Sequence, residues 1–129
     1  MSVVRFGSGA PWEAVVGYSR VVATADAAWV IGTTATVDGV VVHPGDAAAQ
    51  TRVALTTVAR ALADAGFTLA DVVRTRVYVT DISRWEEVGR VHGEFFGDVR
   101  PATTMVQVAA LIDPAMLVEV EADAVRGAA

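Results

Sequence analysis

From Val118 to Ala124 the chain alternates without a break between apolar residues (Val118, Val120, Ala122, Ala124) and acids (Glu119, Glu121, Asp123). Successive side chains of a strand leave on opposite faces, so this period of two predicts a strand with one apolar and one acidic face. A slip of one residue would expose the whole apolar set, so the pattern constrains register as well as element type. The apolar face needs a cover, and two helical segments are available to supply it.

The first helix is predicted after His43-Pro44-Gly45-Asp46, with Asp46 as N-cap, because its carboxylate can accept an orphan backbone N–H. Leu55, Val58, Leu62 and Ala65 recur at spacings of three and four, giving one apolar stripe, and Gly66 is the expected left-handed stop. The second helix is expected to open on a Ser83–Glu86 capping box, to carry Trp85, Val88, His92, Phe95 and Phe96 on one side, and to end at Gly97. Strands are predicted at Val3–Phe6, Arg20–Ala23, Ala28–Thr33 and Val72–Thr80. Gly7–Pro11 reads as loop, and Asp38-Gly39 as a hairpin turn between Ala35–Val37 and Val40–Val42. Thr103–Ala109 and Leu117–Val125 read as a closing hairpin around a loop with Asp113-Pro114. Several strands, a helix, a strand, a helix and two strands make an α+β pattern in one domain, residues 1–129, with both helices on one sheet face.

On the other face the alternation predicts Glu119, Glu121 and Asp123 beside Arg74, Arg76 and Tyr78, and beside Thr103, Met105 and Gln107 of the preceding strand. Val73, Val77, Val79, Val106 and Val108 are then expected toward the helices. Opposite charges on one face suggest cross-strand pairs, either on an ordinary solvated face or in a polar layer buried between subunits.

Composition narrows the chemistry. The chain has 129 residues, 53% of them hydrophobic and 19% charged. No apolar run approaches the ~18 residues of a membrane helix, and no signal-peptide core is present, so a soluble cytoplasmic protein is expected. Cysteine is absent, which removes disulfides and thiolate chemistry, and all ten basic residues are arginine, which removes side-chain Schiff bases. A formal charge of −5 disfavours phosphate backbones, so no nucleic-acid partner is expected. His43 and His92 are too few for a histidine-rich metal site. So small and apolar a domain is expected to bury surplus surface against copies of itself.

A set of short pieces follows in order along nearly the whole chain: Gly17-Tyr18, Gly32, Asp46 to Gln50, Ala65-Gly66, Asp71-Val72-Val73, Thr80-Asp81, Glu94-Phe95-Phe96, Arg100-Pro101-Ala102 and Val118-Glu119-Val120-Glu121. In this order and spacing they resemble the Rid family (reactive intermediate deaminases, also called YjgF-type or endoribonuclease L-PSP-like proteins). The resemblance implies a chorismate-mutase-like mixed sheet with two helices on one face. It also implies a homotrimer with three small-molecule clefts at the subunit interfaces, and hydrolysis of 2-imino (enamine) acids to 2-keto acids and ammonia without metal or organic cofactor. It sets Glu119 as the water-associated glutamate, Tyr18 as the cleft tyrosine and Gly32 as the glycine whose backbone approaches the ligand.

Two positions depart from the family pattern. Thr103 stands where the carboxylate-binding arginine would be, and Gly89 where many active members have asparagine. A neutral hydroxyl bond contributes about 1 kcal/mol net, against roughly 1.5–3 kcal/mol for a charged one. Turnover of 2-imino acids at family-typical rates is therefore not expected; the clefts are expected either to hydrolyse a related imine or enamine or to bind a metabolite without turnover. Glu119 and Thr103 are the catalytic candidates. Tyr18, Gly32, Arg20, Thr104, Met105 and Trp12 are the ligand-binding candidates. Arg20 or Arg100 could supply a cation from another direction, or Arg20 could form a surface or interface salt bridge. Glu119 either positions water or pairs with Arg74 or Arg76. Trp12 either covers the cleft or packs. His92 reads as a satisfied core or interface histidine, His43 as exposed, and a ribonuclease role ranks last.

Overall fold

A computed structural model describes residues 2–127. Its strands are β1 (Val4–Phe6), β2 (Val21–Ala23), β3 (Ala27–Thr33), β4 (Thr36–Val37), β5 (Val40–Val41), β6 (Val72–Val79), β7 (Ala102–Gln107) and β8 (Val118–Val125). The helices are α1 (Ala47–Asp64) and α2 (Trp85–Phe96). Six strands form one mixed sheet in the order β1-β2-β3-β8-β6-β7, and β4 and β5 pair separately around Asp38-Gly39. The α+β architecture is the one expected.

The strand with the strictest alternation takes the most demanding place. β8 lies between β3 and β6, antiparallel to both. Val118, Val120, Ala122 and Ala124 are buried with Leu55, Val58 and Leu62 of α1 and Val88 and Phe96 of α2. Asp46 caps α1 as predicted, its Oδ1 accepting from the Ala49 N–H at 3.0 Å. Gly66 follows the helix at φ +84°, a left-handed value that a side chain would strain.

Several local expectations fail, each for a physical reason. The last two strands are not a hairpin: β7 is the sheet edge, parallel to β6, and β8 inserts on the other side of β6. The long loop between them let the chain cross to a better-covered slot. The face assignment of β7 is reversed as well. Parallel register sets Thr103 beside Thr75, which is fully buried on the helix side. Thr103, Met105 and Gln107 therefore share the helix side. Val106 shares the other face with Arg76 and Tyr78 and is 43% exposed. An edge strand is only partly covered, so its hydrophobicity does not dictate its parity. In β6 an irregularity between Val72 and Arg74 buries Val72 and leaves Val73 46% exposed.

The Ser83–Glu86 box does not form. Asp81 accepts from the Ser83 backbone and hydroxyl, one 3-10 turn (Ile82–Arg84) precedes α2, and Glu86 pairs with Arg90. Trp85 is consequently exposed, and Val91 takes a buried place instead. A capping box does form at Thr68–Asp71, ahead of β6. Between β1 and β2 the chain makes one wide helical turn, Glu13–Gly17.

Candidate functional site

The acidic face of β8 is organised by β6. Tyr78 Oη donates to Glu121 Oε1 at 2.6 Å, and Arg76 Nη1 lies 3.2 Å from Asp123 Oδ2 and 3.7 Å from Glu121 Oε1. The expected cross-strand pairing is present, but it leaves Glu119 out. Among the described residues Glu119 forms no salt bridge with Arg74 or Arg76. Its carboxylate lies across β3 instead, over Gly32: a Cβ built on Gly32 would stand 2.9 Å from Glu119 Cδ. Burial raises its pKa above the ordinary carboxylate value, and the nearby Glu121 adds to the rise. A half-buried carboxyl of this kind is a stronger base than an exposed one and is suited to proton transfer.

Arg20 borders the same region. It precedes β2, and its Nη1 donates to Thr33 Oγ1, the residue after Gly32, at 2.9 Å. Its Nε is buried without a partner. No acid pairs with it within 4 Å among the described residues, which disposes of the salt-bridge reading within one chain. Just before it in the chain, Tyr18 lines a shallow groove of about 570 Å³ with Arg5, Glu13 and Ile31. Trp12 precedes the Glu13–Gly17 turn and is 63% exposed, so it is not a packing residue within the subunit.

Thr103 is elsewhere. It leaves the helix side of the sheet at the β7 edge, whereas Glu119 leaves the opposite side. Thr103 Oγ1 is 2.8 Å from Thr75 Oγ1, and Thr75 Oγ1 is 2.9 Å from His92 Nε2. Thr104 lines a small cleft with Arg76, Tyr78 and Val106, and Met105 packs half-buried against the core. Arg100 turns its Nε back to the Gly97 carbonyl at 3.2 Å. Gly89 on α2 has open space where a Cβ would be. One subunit thus brings Gly32 and Glu119 into contact, with Arg20 bonded to the adjoining Thr33 and Tyr18 in a groove that includes Ile31, but not Thr103. The involvement of Thr75 escaped sequence reasoning because the β6–β7 register was unknown; His92, read as a satisfied histidine, bonds Thr75 and stands 3.5 Å from the candidate Thr103. Among the described residues no cluster of His, Asp and Glu suits a metal ion. No helix is long and apolar enough to cross a membrane.

Comparison with known proteins follows the same outline. The family model described as Endoribonuclease L-PSP matches residues 8–126. An uncharacterised protein of Streptomyces coelicolor, SCO2049, is 42% identical over 127 residues, covering 98% of this chain and 95% of that one. The 3-aminoacrylate deaminase RutC of Acinetobacter baylyi is 41% identical over 80 residues, covering 62% of this chain and 63% of its own length. The crystal structure of Rv2704 from Mycobacterium tuberculosis, a member of the YjgF/YER057c/UK114 family, superposes with a TM-score of 0.88 at 55% identity, covering 96% of this chain and 99% of that one. E. coli TdcF with bound serine superposes with a TM-score of 0.79 at 25% identity, over 95% and 94% of the two chains. With its six-stranded sheet, two covering helices and match across residues 8–126, this chain belongs to the YjgF/Rid family.

Proposed function

We propose that three copies of this chain close around shared clefts, and that each cleft hydrolyses a small imine or enamine lacking the usual carboxylate. The observation that carries the reading is the Glu119 carboxyl over Gly32, half-buried, without a cation and with its pKa raised. Such a group accepts a proton from water as the water oxygen bonds to the imine carbon and the C=N π bond opens onto nitrogen. It then returns that proton to nitrogen. As the C–N bond breaks, the carbinol oxygen passes its proton through the Glu119 carboxylate to the departing nitrogen, so ammonia leaves and the carbonyl forms. Substrate plus water becomes ketone plus ammonia, with no redox partner.

Two further observations support the details. Glu119 and Thr103 leave opposite faces of the sheet, so a cleft containing both needs two subunits. Thr103 stands where the family resemblance sets an arginine, and a hydroxyl cannot offset the desolvation of a carboxylate as a guanidinium does. RutC is named for deamination of 3-aminoacrylate and TdcF is described with bound serine, which supports small amino or enamine compounds as the ligand class, while the carboxylate both compounds carry is what Thr103 argues against. The alternative is a cleft that binds a metabolite without turnover, favoured by the same missing cation.

Ammonia release from freshly generated 2-iminopropionate, 2-iminobutyrate and the amide of 2-iminopropionate tests this. Little acceleration is expected with the two acids and clear acceleration with the amide, lost in Glu119→Gln. Thr103→Arg should raise turnover of the acids. Rapid wild-type turnover of the acids would overturn the assignment of Thr103, and no acceleration of any of the three would favour the binding reading. RNA is expected to stay intact with the purified protein.

A further inference from the structure

Behind Thr103 lies a chain of hydrogen bonds that imine hydrolysis by Glu119 does not use. Thr75 is fully buried at the centre of it. Its hydroxyl meets His92 Nε2 at 2.9 Å on one side and Thr103 Oγ1 at 2.8 Å on the other. Thr103 Oγ1 also reaches the Pro101 carbonyl at 3.2 Å and stands 3.5 Å from His92 Nε2.

The protons can be counted. Thr75 has one hydroxyl proton for two partners, so it donates to one and accepts from the other. If it donates to His92, Thr103 must donate back to Thr75, and the contact with the Pro101 carbonyl has no proton. If it donates to Thr103, His92 must donate through Nε2–H, and the Thr103 proton is free for the Pro101 carbonyl. Only the second arrangement satisfies all three bonds. Burial lowers the His92 pKa, so the ring is neutral with one proton to place, and a tilted contact with the Phe96 ring, centroids 4.7 Å apart, restrains it.

We infer that Thr75 and His92 are positioning residues that turn the Thr103 hydroxyl outward as a donor, so that the ligand group docking there is a neutral acceptor oxygen: an amide, ester or ketone carbonyl, or a free hydroxyl. The inference rests on the reading above that Thr103 faces the cleft. In the free protein the long bond to Pro101 occupies the outward proton, and a ligand oxygen takes its place. A carboxylate at this point would be desolvated against an uncharged network and gain no counter-ion.

Two measurements on the full-length protein test this. Ring ¹⁵N–¹H spectra need to resolve only His43 and His92, with His92→Gln as the assignment control. A neutral His92 protonated at Nε2 is expected; protonation at Nδ1 would overturn the relay, whatever the protein turns over. Titrations with pyruvamide and pyruvate, followed by amide shifts, probe the ligand class. Pyruvamide should bind at least threefold tighter than pyruvate. Thr103→Val and His92→Phe should each weaken pyruvamide about fivefold and leave pyruvate unchanged. His92→Gln, whose amide N–H can still donate to Thr75, should restore most of the loss. Equal pyruvamide affinity in the Phe and Gln variants would refute the positioning role. A wild type that prefers pyruvate, or binds neither compound, would refute the ligand class, while the ammonia assay judges hydrolysis separately.

Discussion

At residue 32 a missing side chain is what lets the Glu119 carboxylate lie across β3. Gly32→Ala would set a Cβ against that carboxylate, 3.2 Å from its Cγ and closer still to its oxygens, and would displace it. The expected outcome is loss of the Glu119-dependent activity, read as ammonia release, with the fold retained by circular dichroism. Two half-buried titratable groups, Glu119 and His92, carry opposite pH signatures. Glu119 has a raised pKa, so the folded chain binds more protons than the unfolded chain between the ordinary value and the raised one. Its burial penalty is absent below the ordinary carboxylate range and fully present above the raised value. Glu119→Gln should therefore raise Tm at pH 8 and leave it nearly unchanged at pH 4. His92 has a lowered pKa, so the unfolded chain binds more protons between the lowered value and 6.5. Stability is fully present above 6.5 and falls as pH drops through the lowered value; His92→Gln should flatten that fall in thermal scans.

The elements differ in how far their sequences specify them. α1 was legible throughout, because a cap, a stripe at helical spacing and a left-handed stop agree. Its buried Gln50 was not interpretable from pattern. The side chain donates to the carbonyls of Val42, His43 and Ala115 and accepts from the Leu117 N–H, tying α1 to the loop that feeds β8. Gln50→Leu, which strands those groups, is expected to cost about 2–3 kcal/mol in urea unfolding, against about 1 kcal/mol for Asp46→Ala at the exposed cap. β7 shows the opposite case. Its residues alternate, but an edge strand half covered by α2 offers no large energy difference between its two parities. Parallel pairing with β6 decided the matter and carried Thr103 to the helix side.

For the whole molecule, the exposed apolar residues fall into line with an assembly. Trp12, Val15, Val16, Trp29 and Val106 are all exposed in the single subunit. Val106 borders the charged face of β6 and β8 beside Arg76 and Tyr78. Sedimentation equilibrium is expected to give three chain masses, and Val106→Asp to shift the population toward one; a single-chain mass for the wild type would remove the shared cleft and with it the proposed site.

What the sequence determined by itself was what local periodicity and chemistry enforce: an α+β domain, a β8 with one apolar and one acidic face, and α1 with its cap and stop. Those features are short-range, or so strongly patterned that one arrangement alone buries the apolar set. Gly32 and Glu119 were each marked only by the family resemblance, and their contact is tertiary. The tertiary structure alone decided which strands are neighbours. That choice depends on loop reach and on which slot in the sheet is best covered, neither of which is written in any local window. It separated the last two strands, sent Thr103 and Glu119 to opposite faces, freed Glu119 from the arginines and set Thr75 between Thr103 and His92.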